Sequence, residues 1–463
     1  MSLTPTPDQL ALLQHALDRL REGFAPLPDA PANSARPEAA APARLDAQIQ
    51  TVLLEAAARL QDNFPYHHPL YAGQMLKPPH PVAQLAYALA MSVNPNNHAL
   101  DGGRASSAME KEAVAQLATM FGWREHLGHL TGGGTMANLE ALWIAGQLAP
   151  GATVVASSQA HYTHARISAV LGLPFESVPC DGYGRMDAGA LERRLAKGGV
   201  GCVVATMGAT ATGAVDPLGA ILDLRAKHGF RVHADAAYGG YHVLAGNLAR
   251  PAAAAFGRIA EVDSIVVDPH KHGLQPYGCG CVLHRDPSVG RFYRHDSPYT
   301  YFSSAELHLG EISLECSRPG AAAVALWATQ RLLPLERGGE FVRGLEASRE
   351  AALELHATLA ADPRYMVAMA PELDIVVWGM RAPSVSESSV LARRVFEEAA
   401  KRDLHLALAE VPIGFFGGAI ALMHANQPTV TALRSALMKP EHREWLGEIV
   451  ARLGEAADAA RGE

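Results

Sequence analysis

Cysteine is scarce in this sequence: five residues occur among 463, and no two of them form a CxxC pair. An odd number of thiols without paired spacing argues against a disulfide framework and a zinc ribbon, and it is typical of proteins in a reducing compartment. We therefore predict a cytoplasmic protein. Cys279 and Cys281 are two residues apart, so on a strand they would share one face, where small buried residues are the simplest interpretation.

Basic blocks and long apolar runs are missing as well. The formal net charge is −8, and no block is rich in lysine or arginine, which argues against nucleic acid or an anionic membrane as the main partner. No long apolar stretch is free of charge, so the sequence predicts no transmembrane helix. The first residues, MSLTPTPDQLALLQ, lack the basic and apolar regions of a secretory signal, so none is predicted.

Hydrophobic residues make up 49% of the chain, which is enough for one large core or two packed domains. Between about residues 76 and 325, short apolar runs alternate with helical patterns. This alternation predicts a large α/β domain with a mostly parallel sheet covered by helices. The runs predicted as strands are residues 152–157, 201–208, 230–237, 263–268 and 280–285.

The two ends of the chain have different patterns. Residues 1–75 predict a helical N-terminal arm, in which a proline- and alanine-rich linker separates two helices. Such an arm often completes an oligomer interface, and a simple docked extension is an equal alternative. Residues 326–463 predict a smaller C-terminal α+β domain, with one long helix over residues 324–361 near its start.

Ligands of open α/β sheets collect at the carboxyl ends of the strands, so residues that follow strands are the candidates for chemistry. The stretch TGGGTMANL precedes a helical run, and Gly133, Gly134 and Thr135 could hold a phosphate through free N–H groups. The alternative is an ordinary glycine turn with Thr135 as the helix N-cap. Neither GxGxxG nor GxxxxGK[ST] is present there, so neither a dinucleotide nor a P-loop nucleotide is predicted.

Two histidines follow the predicted strand 152–157, in the segment SSQAHYTHARI. The imidazole of His161 can stack on a flat aromatic ligand and can also move protons. His164 lies three residues later, a spacing that permits a shared helical face and therefore a metal pair. Ordinary loop histidines are the alternative at both positions.

A carboxylate and a lysine follow two other strands. Asp235 ends the apolar strand in RVHADAAYGGY, where a buried charge needs a backbone cap, a metal or a protonated ring nitrogen as its partner. Lys271 stands between two histidines in DPHKHG. A desolvated lysine amine attacks carbonyls and forms Schiff bases, and a solvated loop lysine is the alternative.

These four groups match one ligand: pyridoxal phosphate has a phosphate, a ring face, a ring nitrogen and an aldehyde. The motifs also resemble those of the group II pyridoxal-phosphate-dependent amino acid decarboxylases, a branch of the aspartate aminotransferase-like fold (fold type I). DPHKHG resembles their N/D-P-H-K motif, HADAAYGG their H-V-D-A-A-Y segment, and SSQAHYTHARI their S-x-Q-A-H segment. TGGGTMANL and ATMGATATGAVDPL complete the set, in family order, between about residues 65 and 330.

The resemblance implies decarboxylation of an L-amino acid to its amine, in a homodimer with the active site at the interface. Lys271 would form the Schiff base with the cofactor, Asp235 would pair with the pyridine nitrogen, and His161 would stack on the ring and take part in protonation. The residues implied to bind the cofactor are Gly133, Gly134, Thr135, His161, Thr206, Asp235, Ala237, His270 and Lys271.

Two departures from the family pattern concern the substrate. Family members often carry an arginine in the small domain that binds the substrate carboxylate, whereas residues 419–431 have none and His424 is the nearest basic residue. Many members also have a mobile loop with a proton-donating tyrosine. The corresponding segment RHDSPYTYFSSAELHLG is short for such a loop; its candidates are Tyr299 and Tyr301, with a packing role as the alternative. Three further residues could line the pocket and favour a cationic side chain: Glu306, His308 and Glu311.

Other functions remain open from the sequence. A carbon–carbon lyase, or a decarboxylase that oxidises its product to an aldehyde, would use the same cofactor. A cofactor-free binding protein would not need Lys271. A metal-dependent hydrolase would draw on histidines from separate segments, namely His67, His68, His161, His164, His270 and His272.

Overall fold

Two β-sheets organise the protein. The computed structural model describes residues 5–24, 42–294 and 307–462. Strands between residues 127 and 284 form a seven-stranded sheet, and strands between residues 365 and 436 form a four-stranded sheet. Three of the candidate residues lie outside the described residues: Tyr299, Tyr301 and Glu306.

The large sheet is mostly parallel, as predicted. Its strands are β1 (Leu127–Thr131), β2 (Thr153–Ser157), β3 (Phe175–Val178), β4 (Val200–Thr206), β5 (Arg231–Asp235), β6 (Ser264–Val267) and β7 (Gly280–His284). Their spatial order is β1-β7-β6-β5-β4-β2-β3. Only β7 runs antiparallel to its neighbours, β1 and β6.

Both faces of this sheet are buried, and this explains which strands the sequence predicted. Val266 packs in a cluster on one face, while Ile265 and Val267 belong to the main core on the other. Strands covered on both sides are apolar at nearly every position, and all five predicted strands belong to this sheet. β1 and β3 were not predicted, because each contains partly exposed residues that interrupt the apolar run.

The helices alternate with the strands along the chain. They are α1 (Pro7–Phe24), α2 (Pro42–Leu60), α3 (Pro81–Met91), α4 (Leu100–Met120), α5 (Gly134–Leu148), α6 (Thr163–Leu171), α7 (Ala188–Leu195), α8 (Leu218–His228), α9 (Arg250–Gly257), α10 (Gly320–Leu332), α11 (Glu340–Ala361), α12 (Val385–Ala400) and α13 (His442–Arg461). α5 begins just after β1 and packs across β1, β4, β5, β6 and β7, so its N-terminus lies at the carboxyl edge of the sheet. Among the described residues, no helix combines the length and apolar character that a bilayer crossing requires.

The single long helix predicted over residues 324–361 is wrong. The structure divides this stretch into α10 and α11, with residues 333–339 between them. Pro334 has no N–H to donate to a helix, and Gly338 adopts a φ of 73°, a left-handed conformation that ends a helical run. The helical spacing of apolar residues on both sides of this break produced the error.

The small sheet is antiparallel. Its strands are β8 (Tyr365–Val367), β9 (Ile375–Met380), β10 (Ala407–Pro412) and β11 (Thr429–Ala436), in the order β10-β11-β9-β8. Helices α11, α12 and α13 pack on it around Leu355, Trp378 and Leu453, which are all buried. The sheet and its helices have the α+β composition that the sequence predicted.

The domain limits drawn from the sequence stay a prediction. α10 crosses the limit between residues 325 and 326, and it packs on α3 and α4. Leu70 and Ala72, which precede the limit at residue 75, pack in the core of the small sheet.

Candidate active site

One cavity at the carboxyl edge of the large sheet contains all the residues that the sequence assigned to cofactor binding. It has a volume of about 500 Å³ and is lined by groups from the ends of β4 and β5, from the loops after β1, β2 and β6, and from the start of α5. The predicted residues among its lining are Gly133, Gly134, Thr135, His161, Thr206, Asp235, Ala237, His270 and Lys271. The structure therefore brings these residues together, and their role in binding a cofactor stays a prediction.

The glycine turn leaves the N-terminus of α5 open. Gly133 is the N-cap residue, its φ is 149°, and no side chain caps the helix. Gly134 lies so close to Asp268 that a Cβ at this position would be 2.7 Å from the Asp268 Oδ2. Thr135 lies inside the helix, so the alternative that it serves as the N-cap is wrong. Uncapped N–H groups at the start of a fifteen-residue helix form a site for an anion.

His161 is held on the cavity wall by the residue that begins α6. Its Nδ1 accepts the backbone N–H of Thr163 at 3.2 Å and also contacts the Thr163 hydroxyl. Burial lowers the pKa of His161 below its ordinary value of 6.5, and Lys271 and His164 add to this effect against the opposing charge of Asp235. The ring is therefore neutral at pH 7, and its hydrogen is on Nε2 because Nδ1 is an acceptor.

Asp235 ends β5, the middle strand of the large sheet, and it is buried. Its Oδ2 lies 2.8 Å from His164 Nε2 and accepts the amide of Asn138 at 3.4 Å, while its Oδ1 accepts the Ala237 N–H at 3.2 Å. Burial alone would raise the pKa of Asp235, but the hydrogen bond and charge of His164 outweigh it, so the pKa falls well below 3.8. The carboxylate stays charged inside the cavity.

The pairing with Asp235 was not predicted for either His164 or Asn138. His164 is fully buried in the first turn of α6 and faces Asp235, so it does not form a metal pair with His161. The Asn138 side chain also accepts a hydrogen bond from His233 Nε2 at 2.8 Å. The three polar residues thus fix the orientation of one carboxylate.

Lys271 has a carboxylate neighbour that the sequence analysis did not consider. Its Nζ lies 3.0 Å from Asp268 Oδ2, and its side chain is 22% exposed. The expected desolvated amine between two imidazoles is therefore an ion-paired amine instead. His270 donates its Nδ1 hydrogen to the Cys279 carbonyl at 2.9 Å, so it belongs to the wall of the cavity.

Among the described residues, the histidines that a metal hydrolase would need do not form one cluster of metal ligands. His67 and His68 lie in the segment next to Trp445 on α13, far along the chain from His161. Within the described residues, the one group with ligand atoms close enough for a metal ion is His242, His272 and Asp374, and none of these lines the cavity. The structure thus gives no support to the hydrolase alternative.

The residues proposed for the substrate side of the cavity have other positions. His308 and Glu311 cap a short 3₁₀ helix by bonding each other's backbone, and neither lines the cavity. His424 is exposed and also lies outside the lining. In the described part of the chain the lining contains Glu315 but no arginine.

The comparison with known proteins decides the family. A family model described as the pyridoxal-dependent decarboxylase conserved domain matches residues 144–381. The chain belongs to the pyridoxal-dependent decarboxylase family. Its relatives include the probable L-tyrosine/L-aspartate decarboxylase of Methanoculleus marisnigri, which is 30% identical over 312 residues, 67% of this chain and 81% of that protein. The L-2,4-diaminobutyrate decarboxylase of Acinetobacter baumannii is 30% identical over 349 residues, 66% of this chain and 68% of that protein.

Solved structures confirm the fold. The crystal structure of Oryza sativa TDC with PLP and tryptamine has a TM-score of 0.75 at 20% identity, and the match covers 98% of this chain and 99% of that one. The crystal structure of mouse CSAD in apo form has a TM-score of 0.74 at 21% identity, covering 96% and 99%. The predicted fold type I is therefore confirmed. As a family member, the protein is a pyridoxal-phosphate-dependent amino acid decarboxylase, that is, a carboxy-lyase.

The cavity of this decarboxylase fits the cofactor in three respects. The open N-terminus of α5 suits a phosphate. The charged carboxylate of Asp235 suits a protonated ring nitrogen. The hydroxyl of Thr206 is buried without a hydrogen-bond partner among the described residues, and Thr206 is the cross-strand neighbour of Asp235. A buried unpaired hydroxyl beside the site is expected where a polar ligand belongs.

The pairing of His164 with Asp235 can be tested on the cofactor-free protein. We expect His164→Ala to lower the free energy of unfolding by about 3 kcal/mol at pH 7, because it leaves a buried charge without its partner. Urea unfolding measures this. The folded pKa of Asp235 is depressed, so the stabilising contribution is complete above its ordinary pKa of 3.8 and is lost as the pH falls through the folded pKa.

Ser168→Ala is the matched control for this substitution. Ser168 lies one turn further along α6, is fully buried, and has a hydroxyl without a partner among the described residues. Its removal should cost little. Equal losses of stability in the two variants would contradict the role assigned to His164.

Proposed function

We propose that this cavity decarboxylates an L-amino acid with pyridoxal phosphate joined to Lys271. Asp235 would face the ring nitrogen, the turn at Gly133 and Gly134 would hold the phosphate, and Thr206 and Ala237 would contact the ring. The observation that carries the proposal is that Lys271 and Asp235, which end or follow neighbouring strands, line the same cavity as the open end of α5.

The cofactor, when bound, supplies an electron sink for the pair released as the carboxylate leaves Cα. The protein contributes charge, position and a hydrogen-bond donor. Asp235 is held ionised by His164, so it can stabilise positive charge on a ring nitrogen that would otherwise be costly in a buried site. Asp268 fixes the direction of the Lys271 amine. The neutral ring of His161 presents an N–H at Nε2, where it can donate a hydrogen bond to a group in the cavity.

The choice of substrate depends on the cavity-lining side chains that are not assigned to the cofactor. The relatives named above act on tyrosine, aspartate or diaminobutyrate, so family membership does not select one. Among the described lining residues, Glu315 is a carboxylate on the rim, where its Oε2 accepts the Gly132 N–H at 3.0 Å. Because no arginine lines the described cavity, a neutral or cationic substrate side chain is better matched than an acidic one.

Attachment of the cofactor at Lys271 is the direct test of the proposal. The purified protein should be yellow, and borohydride reduction followed by peptide mass spectrometry should locate the cofactor on the peptide that contains Lys271. Lys271→Ala should abolish both the attachment and the release of carbon dioxide and amine from a panel of L-amino acids. Lys227→Ala, at an exposed lysine of α8, is the control and should leave both intact. A modified lysine elsewhere, or an aldehyde product without amine, would contradict the proposal.

The role of His161 predicts a pH dependence. Its pKa is lowered from 6.5 by burial, so the neutral ring should persist below pH 6.5. The loss of kcat/KM on acidification that depends on this residue should therefore occur below pH 6.5. His161→Asn should remove this limb and lower kcat about 100-fold or more, the range for loss of a preorganised hydrogen-bond donor at a reacting group. An acid limb that is unchanged in the variant would exclude the role.

We also propose that the protein is a homodimer, and a cytoplasmic location stays a prediction. Helix α2 supports the dimer: Ile49, Val52 and Leu53 form an apolar stripe at helical spacing, and Val52 and Leu53 are each 63% exposed. An exposed stripe of this kind is expected to be covered by another protein surface. A second copy of the chain is the occupant that the family resemblance implies.

Leu53→Asp tests this interface. A charge at the centre of an apolar contact should convert the dimer to a monomer in analytical ultracentrifugation. Gln50→Asp, on the same exposed helix but outside the stripe, should remain dimeric. A monomeric wild-type protein, or a dimer that survives Leu53→Asp, would rule out this arrangement.

A further inference from the structure

His272 follows Lys271 directly but points away from the cavity. It is fully buried, its Nδ1 lies 2.9 Å from the Tyr238 carbonyl oxygen, and its Nε2 lies 2.8 Å from Asp374 Oδ2. Both neighbours are acceptors, so both ring nitrogens must carry hydrogen to make these bonds. On the side away from the cavity, the segment that contains Lys271 is thus bonded to Tyr238 and to Asp374.

Asp374 connects this attachment to the small sheet. It immediately precedes β9, and its Oδ1 accepts the hydroxyl of Tyr238 at 2.5 Å. Its carbonyl oxygen also accepts the Leu437 N–H at 2.8 Å, next to the end of β11. Tyr238, in turn, lines the cavity. One carboxylate therefore joins the segment after β6, the segment after β5 and the small sheet.

The charges in this cluster are set by its surroundings. Burial would raise the pKa of Asp374, but the charge and hydrogen bond of His272 outweigh it and the net shift is downward. Burial raises the pKa of Tyr238 well above its ordinary value, so its hydroxyl stays a donor. His242 packs edge-on against His272 at 4.8 Å, and burial lowers its pKa to about 3, so it adds no competing charge. Asp374 therefore accepts as a carboxylate, and Tyr238 donates as a phenol.

We propose that His272 and Asp374 are positioning residues, which hold the Lys271 segment and Tyr238 against the small sheet so that the lysine amine is presented to the cofactor. This inference rests on the proposed function, in which Lys271 carries the cofactor. Neither residue lines the cavity, so neither would touch the reacting atoms. Their effect would act through the backbone of the segment between Asp268 and His272.

The chain offers a closely matched control for a substitution at Asp374. Glu372 is two residues away and also links the segment before β9 to the large domain. Its Oε1 accepts a hydrogen bond from Arg185 at 2.7 Å, and its Oε2 accepts the Val215 N–H at 2.8 Å. It makes no contact with the Lys271 segment. Asp374→Asn and Glu372→Gln therefore remove comparable buried links, of which only one reaches the lysine.

The test compares these variants by their affinity for the cofactor. Titration of cofactor-free protein with pyridoxal phosphate, followed by absorbance, gives the dissociation constant, and thermal unfolding of the same samples gives their stability. We expect Asp374→Asn to weaken cofactor binding about tenfold, from the loss of hydrogen bonds to a charged group, and to lower kcat with little change in KM. Glu372→Gln should keep its cofactor affinity within about twofold of the wild type, even if its thermal stability falls as much as that of Asp374→Asn.

Either of two results would overturn the inference: wild-type affinity in Asp374→Asn, or an equal loss of affinity in Glu372→Gln. Should Asp374→Asn fail to fold, His272→Gln, which keeps a single amide donor, is measured in its place with the same two criteria. Borohydride labelling separates this inference from the proposed function. Labelling of Lys271 in the wild type together with unchanged affinity in the variants would reject the positioning role alone, whereas no labelling in the wild type would reject the function.

Discussion

The buried carboxylate of Asp235 is the constraint on which the site depends. An isolated charge at the end of a central strand would be strongly unfavourable, so the surroundings must supply donors for it. His164, Asn138 and the Ala237 N–H do so from three directions, and His233 supports Asn138 from behind. The parallel sheet makes this convergence possible, because the carboxyl ends of its strands open onto one edge. The cofactor site that we propose is built around a charge that the fold has already stabilised.

The segment DPHKHG, after β6, distributes its side chains in opposite directions. Asp268, His270 and Lys271 face the cavity, while His272 faces the interior between the two sheets. A lysine flanked by two histidines therefore does not mark a cluster of imidazoles. His270 forms part of the cavity wall, whereas His272 bonds Asp374.

The sequence predicted the members of the site better than their partners. Glycines, a carboxylate and a lysine that follow apolar strands are visible as local patterns, and the strands were visible because both faces of the sheet are covered. His164 and Asp235 are 71 residues apart, and His272 and Asp374 are 102 apart, so no local pattern pairs them. The break between α10 and α11 was missed for a related reason. The apolar spacing continued on both sides of Pro334 and Gly338, and more weight was given to the spacing than to these two residues.

β7 is the one strand of the large sheet that runs against its neighbours, and this reversal affects how Lys271 is carried. In a parallel sheet the chain leaves each strand through a crossover, whereas β6 and β7 are adjacent and hydrogen-bonded, with Val267 opposite Cys281. The loop that bears the lysine thus connects two antiparallel strands that are hydrogen-bonded to each other. The ladder fixes the two ends of this loop, so unless the ladder opens, movement of the lysine is confined to the residues between Val267 and Gly280.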